Sequence, residues 1–164
     1  MQIKIDGYET RIINRNNYEE VWAVYESNPD YFMLHKQRAA KPSDILGTFE
    51  RLVAAYDPAN QYFVGFWRDD APWAVLELLP NFPSLGELWL SEIIVHGDLQ
   101  KSGLGRAIVQ CVIDESAKFD KISLGTDLHL VKFWESFGFV QTDKSDGYVH
   151  FTRACASSTS IKMD

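Results

Sequence analysis

The sequence predicts a mixed α/β (α+β) fold, with a mostly antiparallel sheet of about six to seven strands flanked by about four helices. Three observations carry this. Aromatic and β-branched runs at 62–67 and 73–79 flank the turn Arg68-Asp69-Asp70, a hairpin pattern. Residues 88–126 read strand, helix, strand, which gives a parallel pair with a right-handed crossover. Two further short runs, Phe139 to Thr142 and Tyr148 to Thr152, surround Asp146-Gly147, a second hairpin signal.

Each element follows from its own residues. Residues 3–14 read as strand, broken at Gly7. Asn17 is a candidate cap for a helix over Tyr18 to Ser27, with Val21, Trp22 and Tyr25 at helical spacing. Asn28-Pro29-Asp30 stops it, because proline disfavours helix in the residue before it. A helical turn is expected within 31–38. Pro42-Ser43-Asp44 opens a helix reaching about Tyr56, apolar at Ile45, Phe49, Leu52 and Val53. Asp57-Pro58-Ala59-Asn60 is a turn, and Pro80 and Pro83 bound a loop after the first hairpin. Leu88 to Val95 is the strongest strand. A helix then runs from Leu104 to about Lys118, apolar on two faces through Leu104, Ala107, Ile108, Cys111 and Val112 and through Val109 and Ile113, so it is expected to be mostly buried. Residues 121–126 are a short strand. Leu130, Phe133, Trp134 and Phe137 mark a short helix stopped by Gly138. Residues 1–153 form one domain on this reading, and 154–164 a polar tail.

Composition bounds the function. Hydrophobic residues make up 46% of the 164, aromatic residues 13%, and the net charge is −7. This is a folded chain with an acidic surface, poorly suited to nucleic acid, whose binding energy comes from Lys and Arg displacing counterions. It suits a cationic or neutral partner better. No apolar stretch is long enough for a membrane span, and the N-terminus lacks a signal-peptide pattern. The two unrelated cysteines, Cys111 and Cys155, suggest reduced thiols and a cytoplasmic setting. His35, His96, His129 and His150 share no metal-ligand spacing, so no metal is expected.

The segment Ile94 to Arg106, IVHGDLQKSGLGR, carries the chemistry. A strand enters a loop with glycines and a helix begins, which makes a cradle of unpaired N–H groups for an anion. A nucleotide P-loop fails, because Leu104 follows Gly103 and Lys101 precedes it. A dinucleotide fingerprint fails, because Ile108 occupies its third glycine position. Gln100-Lys101-Ser102-Gly103-Leu104-Gly105 instead reads as (Gln or Arg)-x-x-Gly-x-Gly, five residues after the strand. This resembles motif A of the GNAT superfamily of N-acetyltransferases. Phe133-Trp134-Glu135-Ser136-Phe137-Gly138-Phe139 is similar to that family's late helix and strand, and Asn28-Pro29-Asp30-Tyr31-Phe32 resembles the helix-loop of a bacterial branch.

The resemblance implies a sheet whose parallel pair splays around acetyl-CoA, the cosubstrate. It implies that the pantetheine arm bonds to the backbone around Ile93, Ile94 and Val95. The pyrophosphate then rests on Gln100, Lys101, Ser102, Gly103, Leu104, Gly105 and Arg106, with Lys101 and Arg106 meeting phosphates. Asp127 stands where the family usually has a pantetheine-contacting Asn, and its other reading is a helix cap. Phe133 and Trp134 line the same site. Trp134 replaces the family's usual acidic Tyr and is a wall, since an indole N–H cannot deliver a proton. Tyr148 or water is left as the acid. Glu92 is the leading candidate for base or amine anchor, with Glu77 and Glu87 behind it and Glu87 favoured as an ordinary edge carboxylate. Strict alternation puts Ser91 and Ile93 on one face and Glu92 on the other, and a bulge of the kind the family often carries changes that parity. Trp22, Tyr25, Tyr31 and Phe32 are either acceptor lining or core, and Cys111 is core. The implied reaction is direct acetyl transfer, in a ternary complex, to an amine of a small molecule or peptide, by a chain that the family allows to be a homodimer. A non-catalytic acyl-CoA sensor, motivated by the missing Tyr, and a protein-interaction module are the competing readings.

Overall fold

The computed structural model describes residues 1–50, 56–145 and 147–156. Seven strands form one sheet: β1 (Glu9–Ile12), β2 (Tyr62–Arg68), β3 (Ala71–Pro80), β4 (Glu87–Val95), β5 (Lys121–Asp127), β6 (Val140–Ser145) and β7 (Tyr148–Ala154). Their order is β1-β2-β3-β4-β5-β7-β6. Only β4 and β5 run parallel. Among the described residues five α-helices flank the sheet: α1 (Trp22–Glu26), α2 (Pro29–Lys36), α3 (Pro42–Glu50), α4 (Leu104–Asp114) and α5 (Val131–Glu135). The predicted fold class is the observed one, with one helix more.

The strands divide two cores by alternation, since successive side chains leave opposite faces. On one face Leu76, Leu78, Leu88, Leu90, Ile122 and Leu124 pack with Leu104, Ile108, Val109 and Val112 of α4 and Trp134 of α5. On the other, Phe63, Trp67, Val75 and Ile94 meet Val21, Val24, Tyr25, Phe32 and Ile45.

Several boundaries move for local reasons. The N-terminal segment turns at Gly7, whose φ is +80°, so only Glu9–Ile12 joins the sheet. Asn17 does not cap the next helix. Its side chain accepts from the Asn14 N–H and donates to the Ile12 carbonyl, and the first turn is a 3₁₀ turn over Tyr18–Val21. α2 begins earlier than expected, at Pro29, because a missing N–H is harmless in a first turn. α4 ends at Asp114 rather than Lys118. The chain there tightens into turns that carry the Ser116 and Phe119 N–H groups and bury Phe119. β7 runs to Ala154 and Cys155 is buried, its thiol on the Ser116 hydroxyl, so the packed chain passes the expected boundary at 153. Leu52, Val53, Asp146 and residues 157–164 lie outside the described residues.

Two features of β4 position the site. It pairs with β5 only at Glu87, Leu88 and Trp89, and beyond Trp89 the two strands part. Its register with β3 jumps from Leu78↔Leu90 to Glu77↔Glu92, leaving Ser91 as a bulge residue. Glu87 fastens the paired end. It is buried, accepts from Ser84 at 2.7 Å and from the Ser123 hydroxyl, and lies 3.1 Å from Lys121 Nζ. Burial alone raises a carboxyl pKa, but the bonds from Ser123, Ser84 and Lys121 outweigh it and hold Glu87 below the usual range. It is a structural clamp and not the edge carboxylate expected.

Candidate active site

The bulge settles the direction of Glu92. Unbroken alternation from Leu88 and Leu90 would send Glu92 and Ile94 toward α4. With Ser91 inserted, Ile93 and Val95 pack toward α4 instead, and Glu92 and Ile94 face α1. There the Tyr25 hydroxyl donates to Glu92 Oε1. Glu77 lies directly across the strand pair on the same face. It is only 2% exposed and accepts from Gln61 Nε2 at 2.6 Å.

Three cavities meet where β4 and β5 part, and Ile93 and Leu130 line all three. The first, about 440 Å³, lies over the N-terminus of α4 and collects Ile93, Val95, Gln100, Lys101, Gly103, Gly105, Arg106, Phe133 and Trp134. The second, about 430 Å³, lies under the corner between α1 and α2 and includes Ile94, His35 and Asp127. The third is small, about 120 Å³, and holds Ser91, Glu92, Tyr31, Asp127, Trp134 and Tyr148. The structure therefore gathers nine of the expected site residues around one cavity and places Glu92 and Tyr148 together in the next. Ser102 and Leu104 line none of the three, and Glu77 lies behind Glu92 in the core.

The loop has the geometry of a cradle. Gly103 caps α4 with φ +95°, a conformation that a side chain strains, so its glycine serves the backbone. Gly105 has no such need: a Cβ there would make ordinary contact with Val95 at 3.6 Å. The space it leaves belongs to the cavity. The first-turn N–H groups of α4 carry the helix's partial positive charge toward it.

Neighbouring side chains set the rim. The Arg106 guanidinium lies 4.5 Å from the Phe137 ring centre and 5.8 Å from that of Phe133, and donates to Ser136 Oγ at 3.1 Å. Trp134 is buried and its indole N–H donates to Thr126 Oγ1 at 3.2 Å, as a wall residue would. Gln100 lines that cavity while its side-chain amide donates to Asn28 Oδ1. Asn28 in turn donates to the carbonyls of Val95 at 3.1 Å and Val24 at 2.8 Å, and Ser27 Oγ accepts from the Gly97 N–H at 2.9 Å. The α1–α2 corner thus grips the loop. In sequence, Asn28 carries a helix-stop signal and a place in the family-like helix-loop, and neither names the loop as its partner.

Asp127 makes no cap hydrogen bond. Its Oδ2 stands 3.0 Å from His35 Nε2, tying α2 to the end of β5. Tyr31 packs on the same imidazole at 4.5 Å between ring centres. Tyr148 pairs with Asp127 in register, and its pKa is raised first by burial and then by that carboxylate. Among the described residues no three His, Cys, Asp or Glu side chains gather as a metal ion would need. No helix among them is long and apolar enough to cross a membrane.

The model of the acetyltransferase (GNAT) family matches residues 17–139, most of the chain. The chain belongs to the GNAT acetyltransferases. As a GNAT-type N-acetyltransferase it shares its fold with many solved structures. An acetyltransferase from Thermus thermophilus superposes with a TM-score of 0.77 at 15% identity, covering 94% of this chain and 99% of that one. The PaiA N-acetyltransferase of Thermoplasma acidophilum, solved in complex with coenzyme A, gives 0.63 at 12% identity over 90% and 98%. YncA from Salmonella typhimurium, solved with its cofactor acetyl-CoA, gives 0.62 at 14% identity over 94% and 98%. Among curated proteins no significant match is found.

Proposed function

We propose that this GNAT acetyltransferase holds acetyl-CoA in the cavity over α4 and acetylates an amine presented at Glu92. The observation that carries this is the shared wall of the cavities: the one that Gly105 lines and the small one that Glu92 lines have Ile93, Leu130 and Trp134 in common. The CoA-bound relatives share this fold. Backbone N–H groups of Gly105 and Arg106 suit a pyrophosphate, and Lys101 and Arg106 add cationic contacts at the rim. Beyond Trp89 the backbone of Ile93 and Val95 has no ladder partner on the β5 side, so it can bond the pantetheine arm and supply an oxyanion donor. Bound there, acetyl-CoA supplies an activated acetyl group, and the net reaction forms an amide C–N bond as the thioester C–S bond breaks. Glu92 takes the proton of the acceptor's ammonium. Tyr148, whose raised pKa keeps it protonated at neutral pH, gives its proton across the same small cavity to the departing sulfur, and the second proton that nitrogen sheds on becoming an amide replaces it. The acceptor, a small molecule or peptide, enters from the α1–α2 side. The two free thiols support a reducing, cytoplasmic setting.

Calorimetric titration with CoA tests the reading. Wild type binds, and Gly105→Trp, which fills the space beside Val95, lowers the affinity at least about tenfold. Absence of binding by the wild type overturns the proposal.

A further inference from the structure

Glu92 and Tyr25 are 67 residues apart and come together because of one inserted residue, Ser91. The bulge turns the Glu92 carboxylate from the α4 face to the α1 face. Tyr25 meets it there from a helix packed into the second core. The phenol is 1% exposed, and its ring stands 5.9 Å from Phe32 of α2. A ring held in this way has few rotamers, so its hydroxyl has a defined place. A glutamate chain has three torsions, so a partner with a defined place narrows where its carboxylate can sit.

We propose that Tyr25 is a positioning residue: it fixes the Glu92 carboxylate beside the cavity and keeps it ionised for proton transfer. The proposal rests on the reading of Glu92 as the group that receives the amine proton. The charge balance around Glu92 makes the contact consequential. Glu77 faces it from β3, Asp127 shares its cavity from the end of β5, and both disfavour a second negative charge. Tyr31 from α2 and Tyr148 from β7 line the same cavity, and His35 Nε2 of α2 stands 3.0 Å from Asp127 Oδ2. Tyr25 donates a hydrogen bond to the ionised form, which favours that form. Without the donor, proximity to Glu77 and Asp127 would favour a protonated Glu92, which cannot act as a base.

Tyr25→Phe deletes the hydroxyl and keeps the ring. Side-chain carboxyl ¹³C NMR of the full chain follows the titration of Glu92, identified by the resonance lost in Glu92→Gln. The expected result is a rise of the Glu92 midpoint by about one pH unit in Tyr25→Phe. A purely structural tyrosine would lower the melting temperature and leave that midpoint in place, and an unmoved midpoint overturns the proposal. Should Tyr25→Phe fail to fold, the Tyr25 ¹³Cζ resonance of the wild type is read instead. It shifts through the Glu92 titration if the contact holds, and its indifference to that titration defeats the assignment. Undiminished turnover by Glu92→Gln on an amine panel would defeat the base reading itself, which the NMR midpoints distinguish from a failure of Tyr25 alone.

Discussion

Two glutamates face each other across β3 and β4, and their surroundings separate their roles. Glu77 is enclosed by the second core, held by Gln61, and lines none of the three cavities that meet at the site. Its charge, after burial itself, helps push the Tyr56 hydroxyl up to about 12. Glu92 reaches the cavity that also holds Tyr148, so a proton it accepts has a route from the acceptor. Replacing Glu92 by Gln keeps the shape and removes the proposed base. Turnover should fall about 10²-fold across the amine panel, while CoA affinity measured by calorimetry stays at the wild-type value. An equal loss of CoA affinity would place Glu92 in cofactor binding instead. Arg106 shows the complementary case of a charge set by packing: two phenylalanine rings and Ser136 hold it at the cavity rim before any ligand arrives.

At the scale of elements, the cofactor loop and the α1–α2 corner form one mechanical unit. Asn28 is 7% exposed and bridges the Val24 carbonyl, the Val95 carbonyl and the Gln100 amide. Asn28→Ala removes these bonds, with an expected cost of about 1–3 kcal/mol by urea unfolding. It should also speed amide exchange at Gly97 and weaken CoA binding, and unchanged exchange there would separate the corner from the loop. How much of this was legible follows from the range of each interaction. The hairpins, the parallel unit and the glycine cradle were readable because turn chemistry and helix starts are written in neighbouring residues. The bulge at Ser91 was not readable from alternation, since a period of two carries no sign of an extra residue. It decides the face of Glu92, so alternation could not orient that carboxylate. Asp127 looked like a cap because Asp before a helix often is one, yet its partner, His35, lies 92 positions away. Gln100 fitted the cradle motif by spacing, but Asn28 takes its amide. Local patterns thus found the residues, and the pairs between distant segments assigned them their work.

The whole molecule holds its opening by clamping the sheet and helices around it. Glu87 fastens β4 to β5 on one side of the gap, and Asp44 ties α2 and the following segment to α3 on the acceptor side. Asp44 accepts from Lys36 at 2.7 Å, from Arg38 at 2.7 and 2.9 Å, and from the Lys41 N–H at 2.8 Å. The Arg38 guanidinium, with Lys36 and Lys41, holds its carboxyl far below the usual aspartate range despite partial burial. Glu87 is depressed as well. Both pKa values are lower folded than unfolded, so the unfolded chain binds protons first as pH falls. The stabilisation is therefore complete above the unfolded values of about 4, and acidification through and below that range removes it. Urea midpoints of the wild type should hold steady from about pH 7 to 5 and then drop steeply toward pH 3. Asp44→Asn keeps the side-chain size and discards the titrating group. It should start from a lower midpoint at neutral pH and lose less on acidification. A variant that falls as steeply as the wild type would show that acid sensitivity resides elsewhere. If instead the slope flattens, α2, which carries Tyr31 and His35 onto the cavity under the α1–α2 corner, is secured by a carboxylate cluster outside that cavity, where the proposed acceptor would leave it undisturbed.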